Sequence, residues 1–280
     1  MAPSTGTLST YGASEAVLRT GSDHLTEGAL VTVIQNIHGA LLLSSAGLLS
    51  IILGAGFTGA QMHDNPGVQR LLQGLAFPFG LVLVYLVGAE LYTGYPMWYT
   101  MTALERKGRP LQYIQSALAS WIGNLLGALI FGCLFTLAMD IKQEPWRSSL
   151  IQQITEDIVD RPWYIIFVRS IGCGWLVTIA MFLGTQNQDG ISKALCLHFP
   201  FMISTTARLP HTVEYMYLSS AAMTLGAPLS VGGYIWKCLL PLTLGNTIGG
   251  AGITGLYLWW VHICSEKHHG EGNVLLEDDG

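Results

Sequence analysis

Long apolar stretches alternate with short polar ones along most of the chain. A helix needs about 20 mostly apolar residues to cross a bilayer, and six stretches meet that length. They cover residues 32–60, 71–104, 111–139, 162–187, 191–226 and 231–263. The pattern predicts an all-α membrane protein with six transmembrane segments within residues 30–264, a polar N-terminal tail over 1–29 and a polar C-terminal tail over 265–280.

Two of the six segments are interrupted by residues that do not suit a continuous helix. The second contains "GAELYTGYP" at 88–96, and the fifth contains "TTARLPH" at 205–211. Pro210 lacks a backbone N–H and disfavours helical backbone at Leu209. Because non-helical backbone at membrane depth is tolerated only when it is buried in protein or lines a watery cavity, both helices are predicted to break beside a polar path. Glu90 in the first break is expected to be held by the freed N–H groups of that loop or to cap a half-helix.

The two halves of the chain resemble each other. The motif "GNLLG" at 123–127 recurs as "GNTIG" at 245–249, 122 residues later, and the two breaks, taken at Thr93 and His211, are 118 residues apart. The similar spacings predict a duplicated three-helix unit, which must be inverted because an odd number of spans reverses the second copy. Matching breaks in an inverted repeat indicate a substrate path. Close helix packing is another use of glycine and proline, but it leaves the matched spacings unexplained.

Charges are few and unevenly placed. They make up 11% of the 280 residues, with a net charge of −5, whereas soluble domains have about 25% charged residues. No nucleic-acid partner is expected, because no basic run exceeds "ERKGR" at 105–109. The 105–110 loop is basic and the 140–161 loop is mainly acidic, so the positive-inside rule predicts that both termini are cytoplasmic. No organelle address is readable, and the plasma membrane is the expected location.

The five cysteines stand singly in apolar surroundings, without a Cys-x-x-Cys pair. Such cysteines are expected to pack in the interior rather than to bind metal or form disulfides. We therefore predict no metal and no cofactor.

Six ionisable residues are expected at membrane depth, two of them (Arg208 and Lys237) less deeply, and each is a functional candidate because a charge is costly there. They are Glu90, Arg169, Arg208, His211, Glu214 and Lys237. Among them, His211 alone changes charge near neutral pH. Because Thr93 lies at the other break, we predict that its hydroxyl and the His211 imidazole meet in a narrow path and form a proton-accepting site there. The alternative is a core histidine bonded to a carbonyl, which would be favoured without the internal symmetry.

Three motifs resemble one known family. The stretch "FPFGLVLVYLVGAELYTGYP" (77–96) resembles the second-segment signature of the formate/nitrite transporter family. "GCGWLV" (172–177) is similar to its fourth-segment motif, and "PLTLGNTIGG" (241–250) to its sixth-segment motif. The resemblance covers about residues 30–264. It implies an aquaporin-like inverted repeat, a homopentamer with a pore in each protomer, and transport of small monovalent anions, chiefly nitrite and formate.

The resemblance also assigns residues by position. Those assigned to the substrate pore are His211, Thr93 and Asn246, those assigned to the constriction are Phe77 and Leu81, and Arg169 matches a basic residue of the family. Electrostatic tuning is expected from Arg169 and also from Arg208 and Glu90, which are selected for their charge within the spans rather than by the resemblance.

The chain departs from the family pattern near the histidine. Pro210 stands where a glutamate is usual, Arg208 stands where a glycine is usual, and Gly174 replaces an asparagine. Arg208 is expected to add a fixed positive charge to the pore. No phenylalanine is assigned to the fifth-segment side of the constriction, because Ser204 occupies the position where one is expected.

The expected function is transport rather than catalysis. A naked anion is heavily penalised at bilayer depth, so we expect His211 to donate a proton and the neutral acid to cross the apolar ring. A neutral-solute channel is one alternative, but the paired Asn-Pro-Ala loops of such channels are missing. An intramembrane hydrolase using Ser204 and His211 is a second alternative, although the sequence has neither Gly-x-Ser-x-Gly nor His-Glu-x-x-His. The expected partners are small anions, protons and the lipid bilayer.

Overall fold

A computed structural model describes residues 6–55 and 65–266, which are almost entirely helical. Thr7 and Asn187 form one isolated antiparallel bridge. The α-helices are α1 Thr10–His24, α2 Ala29–Gly54, α3 Pro66–Ala76, α4 Phe79–Val87, α5 Tyr95–Leu104, α6 Pro110–Leu129, α7 Thr136–Ala138, α8 Trp146–Ile154, α9 Trp163–Gln186, α10 Gly190–Thr206, α11 Thr212–Thr224, α12 Val231–Gly233, α13 Leu240–Ile248 and α14 Leu256–Leu258. Two 3₁₀ turns cover Tyr92–Gly94 and Asp140–Lys142, and π-helical stretches cover Ile130–Phe135, Thr155–Val159, Tyr234–Leu239, Gly249–Gly255 and Trp259–Cys264.

Four helical stretches in the described residues are long and apolar enough to cross a membrane. They are Ala29–Gly54, Gly67–Val87, Pro110–Ala138 and Trp163–Gln186. The fifth predicted segment consists of two shorter helices, α10 and α11, and the sixth is helical from Val231 to Cys264. The end of the first predicted segment, 56–60, lies outside the described residues.

Both predicted helix breaks are present. Helix α4 ends at Val87, where Gly88 takes a left-handed φ of 76° that glycine adopts without a steric penalty. The chain becomes helical again at the 3₁₀ turn Tyr92–Gly94, which leads into α5. In the fifth segment, α10 ends at Thr206, Arg208 has a φ of 53°, and α11 begins at Thr212. Each break therefore leaves several backbone groups free for contacts other than helix bonds.

The glycine motifs of the two halves make the same kind of contact. A Cβ atom built on any of these glycines would overlap the facing helix. The contacts pair Gly123 with Val33, Gly127 with Ile37, Gly245 with Phe167 and Gly249 with Ile171. Small residues let two helix backbones approach closely, so the third segment packs on the first as the sixth packs on the fourth.

The predicted N-terminal tail is in part a packed helix, which corrects the prediction. Helix α1 begins after Ser9, whose hydroxyl accepts a hydrogen bond from the backbone N–H of Gly12 at 3.0 Å. It packs against α5 and α9 with Ala13 and Val17 buried. The residues of α1 are polar on average, and the buried face is made partly of small side chains, so an apolar stretch is not visible in the sequence. In the predicted C-terminal tail, the structure describes only residues 265 and 266.

Contacts between loops define two opposite ends of the molecule. At one end, the side-chain amide of Gln112 donates to the Leu25 carbonyl at 3.1 Å, and Trp259 Nε1 donates to Glu105 at 2.8 Å. At the other end, the segment 140–161 folds over the helices with Leu150 and Ile154 buried in the core. The basic 105–110 loop thus lies at the same end as α1, and the acidic 140–161 segment lies at the other.

Candidate functional site

His211 and Thr93 meet at the two breaks, as predicted. His211 Nε2 lies 2.9 Å from Thr93 Oγ1, and both residues are fully buried. His211 is also the N-cap residue of α11, because its Nδ1 accepts a hydrogen bond from the backbone N–H of Glu214 at 3.3 Å. A nitrogen that accepts carries no proton in the neutral ring, so the proton lies on Nε2, which donates to Thr93 Oγ1. The imidazole is thereby oriented on both sides.

Asn246 positions the backbone around His211 and does not contact the imidazole. Its Nδ2 donates to the carbonyls of Ser170 at 2.8 Å and Pro210 at 3.2 Å. Its Oδ1 accepts from the N–H and the hydroxyl of Thr212 at 2.8 and 2.9 Å. The asparagine therefore binds the residues before and after His211 and fixes the break to α9.

Asn124 makes the matching set of bonds in the first half. Its Nδ2 donates to the carbonyls of Asn36 at 2.7 Å and Glu90 at 3.3 Å, and its Oδ1 accepts from the N–H of Tyr92 at 2.7 Å. By these bonds, Tyr92 in the first half corresponds to Thr212 in the second half, 120 residues later. The repeat therefore matches Leu91 to His211, a correction to the predicted match of Thr93 to His211, since Thr93 lies two residues further along its break.

Two phenylalanines pack beside the histidine, where the constriction is predicted. The rings of Phe77 and Phe201 are edge to face with centroids 5.0 Å apart, and Phe201 stands in the same way 5.2 Å from the His211 ring. Both phenylalanines and Leu81 are buried. Phe201 thus packs with the predicted constriction residue Phe77, and it was not predicted from the sequence. Its signal was the repeat itself, because a spacing of 120 residues places Phe201 opposite Leu81.

We expect Phe201→Ala to widen this constriction. The substitution removes the ring that packs on both Phe77 and His211, so it should raise the flux of small neutral solutes such as formamide several-fold over wild type. Phe199→Ala is the matched control, because Phe199 is on the same helix and 55% exposed. Stopped-flow light scattering on proteoliposomes measures the permeability. Equal formamide permeability in wild type and Phe201→Ala would show that Phe201 does not limit the path.

A cavity of about 220 Å³ opens on the α1 side of the constriction. Its lining includes Leu81, Leu91, Tyr85, Trp98, His24 and Glu90. The Glu90 carboxylate accepts a hydrogen bond from the Tyr95 hydroxyl and pairs with His24 Nε2 at 3.2 Å. Side chains therefore hold Glu90, which corrects the expectation that it would be held by loop N–H groups or would cap a half-helix. Through His24, the end of α1 is attached directly to the first break.

The opposite mouth is narrow and lined by polar side chains. A cavity of about 10 Å³, roughly the space of one water molecule, is lined by Ser50, Gln73, Gln153, Thr205, Arg208, Leu209, Glu214 and Tyr215. Arg208 Nη1 pairs with Glu156 at 3.2 Å and with Asp157 at 3.5 Å. The expected free positive charge of Arg208 is thus compensated by the 140–161 segment. Arg169 is half-buried and donates to the Ala207 carbonyl at 3.3 Å, just before Arg208.

Gly174 has a steric role in this structure. A Cβ at this position would overlap the backbone of Asn246, the residue that holds the second break. The asparagine usual at this place would have no room in the present packing. The departure at Gly174 therefore accompanies an especially close contact between α9 and α13.

Comparisons with known proteins agree with this architecture. The sequence profile described as "Formate/nitrite transporter" matches residues 12–260. A probable formate transporter from Methanothermobacter thermautotrophicus is 27% identical over 83% of this chain and 89% of its own length. A formate-nitrite transporter from Entamoeba histolytica is 28% identical over 81% of this chain, which spans 63% of that protein.

Two solved structures share the fold. A chain described as an FNT family ion channel superposes with a TM-score of 0.80 at 21% identity, covering 89% of this chain and 98% of that one. A pentameric formate channel with formate bound superposes with a TM-score of 0.70 at 22% identity, covering 84% and 98%. With a family profile that matches nearly the whole chain, this integral membrane protein belongs to the formate/nitrite transporter family.

Proposed function

We propose that this protein carries the small monovalent anions of weak acids, formate and nitrite, across the plasma membrane, and that the anion is protonated at His211 as it passes. The observation that carries the proposal is the buried contact of His211 Nε2 with Thr93 Oγ1, where the two helix breaks meet between two cavities. The six helical segments would span the bilayer as an inverted repeat. Both termini would be cytoplasmic, on the side of the basic 105–110 loop.

The need for a proton follows from the constriction. Phe77, Phe201 and Leu81 offer no hydrogen-bond donor to an anion, and an unpaired charge in such surroundings is heavily penalised. The neutral acid of formate or nitrite carries no net charge and is small. Protonation at the constriction therefore removes the main barrier to passage.

His211 has two nitrogens with separate tasks in this proposal. Nε2 carries the proton that faces Thr93, and an arriving anion replaces the Thr93 hydroxyl as its acceptor. Protonation of Nδ1 breaks the bond from the Glu214 N–H, which at 3.3 Å is at the weak end of the hydrogen-bond range. Water at a mouth of the path supplies this proton, and the imidazolium, favoured by the nearby anion, gives up the Nε2 proton to it. After the neutral acid leaves, Nδ1 returns its proton to water and Nε2 takes one up, so that one proton has passed from water to the anion.

The relatives support the substrate class and the assembly. One is described as a probable formate transporter and another as a formate-nitrite transporter. The solved formate channel is described as pentameric with formate bound, and we infer a homopentamer with one pore in each protomer for this chain. Proton transfer remains our own inference from the position of His211.

The alternatives fit the site less well. A hydrolase would need Ser204 beside a base, but Ser204 Oγ donates to the Leu209 carbonyl at 3.4 Å, while both ring nitrogens of His211 have other partners. A water or glycerol channel would need a wetter path than one closed by two phenylalanines in contact.

Uptake into proteoliposomes tests the proposal. We expect saturable uptake of formate and nitrite, with formamide and glycerol entering no faster than into protein-free liposomes. With the same pH on both sides of the membrane, the rate of wild-type uptake should rise with the external anion concentration. It should stop when the external anion is withdrawn. Uptake of glycerol without uptake of either anion would replace the proposal by the neutral-solute channel.

A further inference from the structure

The second mouth of the path contains an ion pair that is only partly satisfied. Arg208 is one-tenth exposed and Asp157 is 3% exposed, yet their closest atoms are 3.5 Å apart. Charge-assisted hydrogen bonds of this type are usually about 2.7–2.9 Å long. Arg208 Nε and Asp157 Oδ1 both lack a hydrogen-bond partner among the described residues. A buried guanidinium with unused donors thus lies beside a carboxylate that it does not fully bind.

The backbone at Arg208 is also unusual. Its φ of 53° lies in the left-handed region that favours glycine. Such a conformation on a non-glycine residue is kept only where the surroundings enforce it, and it is a reason to look for function. The conformation places a long cationic side chain three residues before His211, on the wall of the small cavity.

We propose that Arg208 is a binding site for planar two-oxygen anions at this mouth, and that Asp157 occupies it as an internal competing anion until a substrate anion replaces it. The inference rests on the proposed function, because it gives a selection step to the same path. A guanidinium presents a flat fork of N–H donors that can hold two oxygens of one anion at once. Formate and nitrite have that shape, whereas chloride offers a single centre.

The remaining contacts of Asp157 make such an exchange possible. When its carboxylate leaves Arg208, Asp157 keeps the Tyr215 hydroxyl, which donates at 2.9 Å, and Arg161, whose Nε lies 3.7 Å away. The carboxylate is therefore not left alone. Arg208 would in turn be left with Glu156, which is 45% exposed and so interacts in a more water-like medium.

Because the cavity is small, a substrate anion must replace the Asp157 carboxylate at Arg208 and cannot bind beside it. A space for one water molecule cannot hold an anion of three heavy atoms beside the present ion pair. Asp157 belongs to the π-helical stretch Thr155–Val159, which follows α8 directly, and α8 is joined to the body by Gln153, whose Oε1 accepts from Gln73 Nε2 at 3.1 Å. Anion binding would therefore turn the Asp157 side chain away from Arg208, while the 140–161 segment stays in place through Gln153 and its buried residues Leu150 and Ile154.

Two substitutions with opposite expected effects test this inference. Asp157→Asn removes the competitor and should lower the dissociation constant for formate, whereas Arg208→Gln removes the site and should raise it roughly tenfold, as expected for loss of one charge-assisted contact. A purely structural ion pair predicts the same direction for both, since either change breaks it. Glu156→Gln, at the exposed partner, should act like Asp157→Asn but more weakly, and it replaces that variant in the comparison if Asp157→Asn does not fold.

Binding is measured on the purified full-length protein by saturation-transfer NMR on the formate proton, with nitrite and chloride as competitors. The inference is supported if nitrite displaces formate at a lower concentration than chloride does, and if the dissociation constant for formate falls in Asp157→Asn and rises in Arg208→Gln. A dissociation constant that changes in the same direction in both variants, or in neither, would overturn it. Formate flux of the wild type is recorded separately, so binding in the expected order without flux would reject the proposed function and leave the Arg208 site intact.

Discussion

His211→Asn is expected to leave the protein folded while reducing formate flux on the order of 100-fold, the usual range for loss of a positioned proton donor. Asparagine is among the best N-cap residues, so its side chain can still accept the hydrogen bond from the Glu214 N–H that begins α11. It cannot change protonation state near neutral pH. The variant therefore separates the role of the imidazole in the fold from its role in the path.

The measurement is initial formate uptake into proteoliposomes containing equal amounts of wild type and variant. Thermal unfolding followed by size-exclusion chromatography serves as the folding control. Thr93→Val provides a graded comparison, because it removes the hydroxyl that accepts from Nε2 but keeps the titratable ring, and it should reduce flux less. Wild-type flux in a well-folded His211→Asn protein would remove His211 from the mechanism.

Asn246→Ala is expected to have the largest effect on stability. The substitution leaves the Thr212 N–H and the carbonyls of Ser170 and Pro210 without their partner. A buried polar group without a partner costs about 1–3 kcal/mol, although bonds between membrane helices average only about 0.6 kcal/mol. We therefore expect the free energy of unfolding to fall by roughly 2–5 kcal/mol, with loss of transport because the break around His211 is no longer held.

Two further variants serve as comparisons for Asn246→Ala. Asn124→Ala should destabilise the protein to a similar extent, because Asn124 makes the matching bonds at the first break. Leu244→Ala should have little effect, because Leu244 is in the same helix as Asn246 and 43% exposed. Unfolding in denaturant, measured in the same detergent, ranks the variants. An Asn246→Ala protein as stable and active as Leu244→Ala would contradict the role assigned to the asparagine.

The parts of this site that the sequence could predict are those with strong local signals. Pro210 and the polar residues of 88–96 interrupt apolar segments, so both breaks were predictable. The glycines around Asn124 and Asn246 recur at a fixed spacing, and their contacts repeat accordingly. The meeting of Thr93 and His211 followed from the two breaks, although the exact correspondence was displaced by two residues.

Other parts depend on contacts that no local pattern records. Phe201 is one apolar residue in an apolar segment, and only the spacing of the repeat singles it out, as the counterpart of Leu81. The buried face of helix α1 consists partly of small and polar residues, so the sequence shows no apolar stretch there. The pairing of Arg208 with Asp157 joins residues about 50 positions apart in chain order, so the sequence indicates a charge but not its compensation.

The central claim is that each anion crosses together with a proton, and internal pH measures this most directly. Proteoliposomes loaded with a pH-sensitive dye receive an inward formate gradient, with protein-free liposomes correcting for formic acid that crosses the lipid. The account predicts that the interior acidifies at the rate of formate uptake and that clamping the membrane potential does not change that rate. Formate uptake that stops unless a counter-charge is supplied, without acidification, would contradict the account and indicate passage of the bare anion.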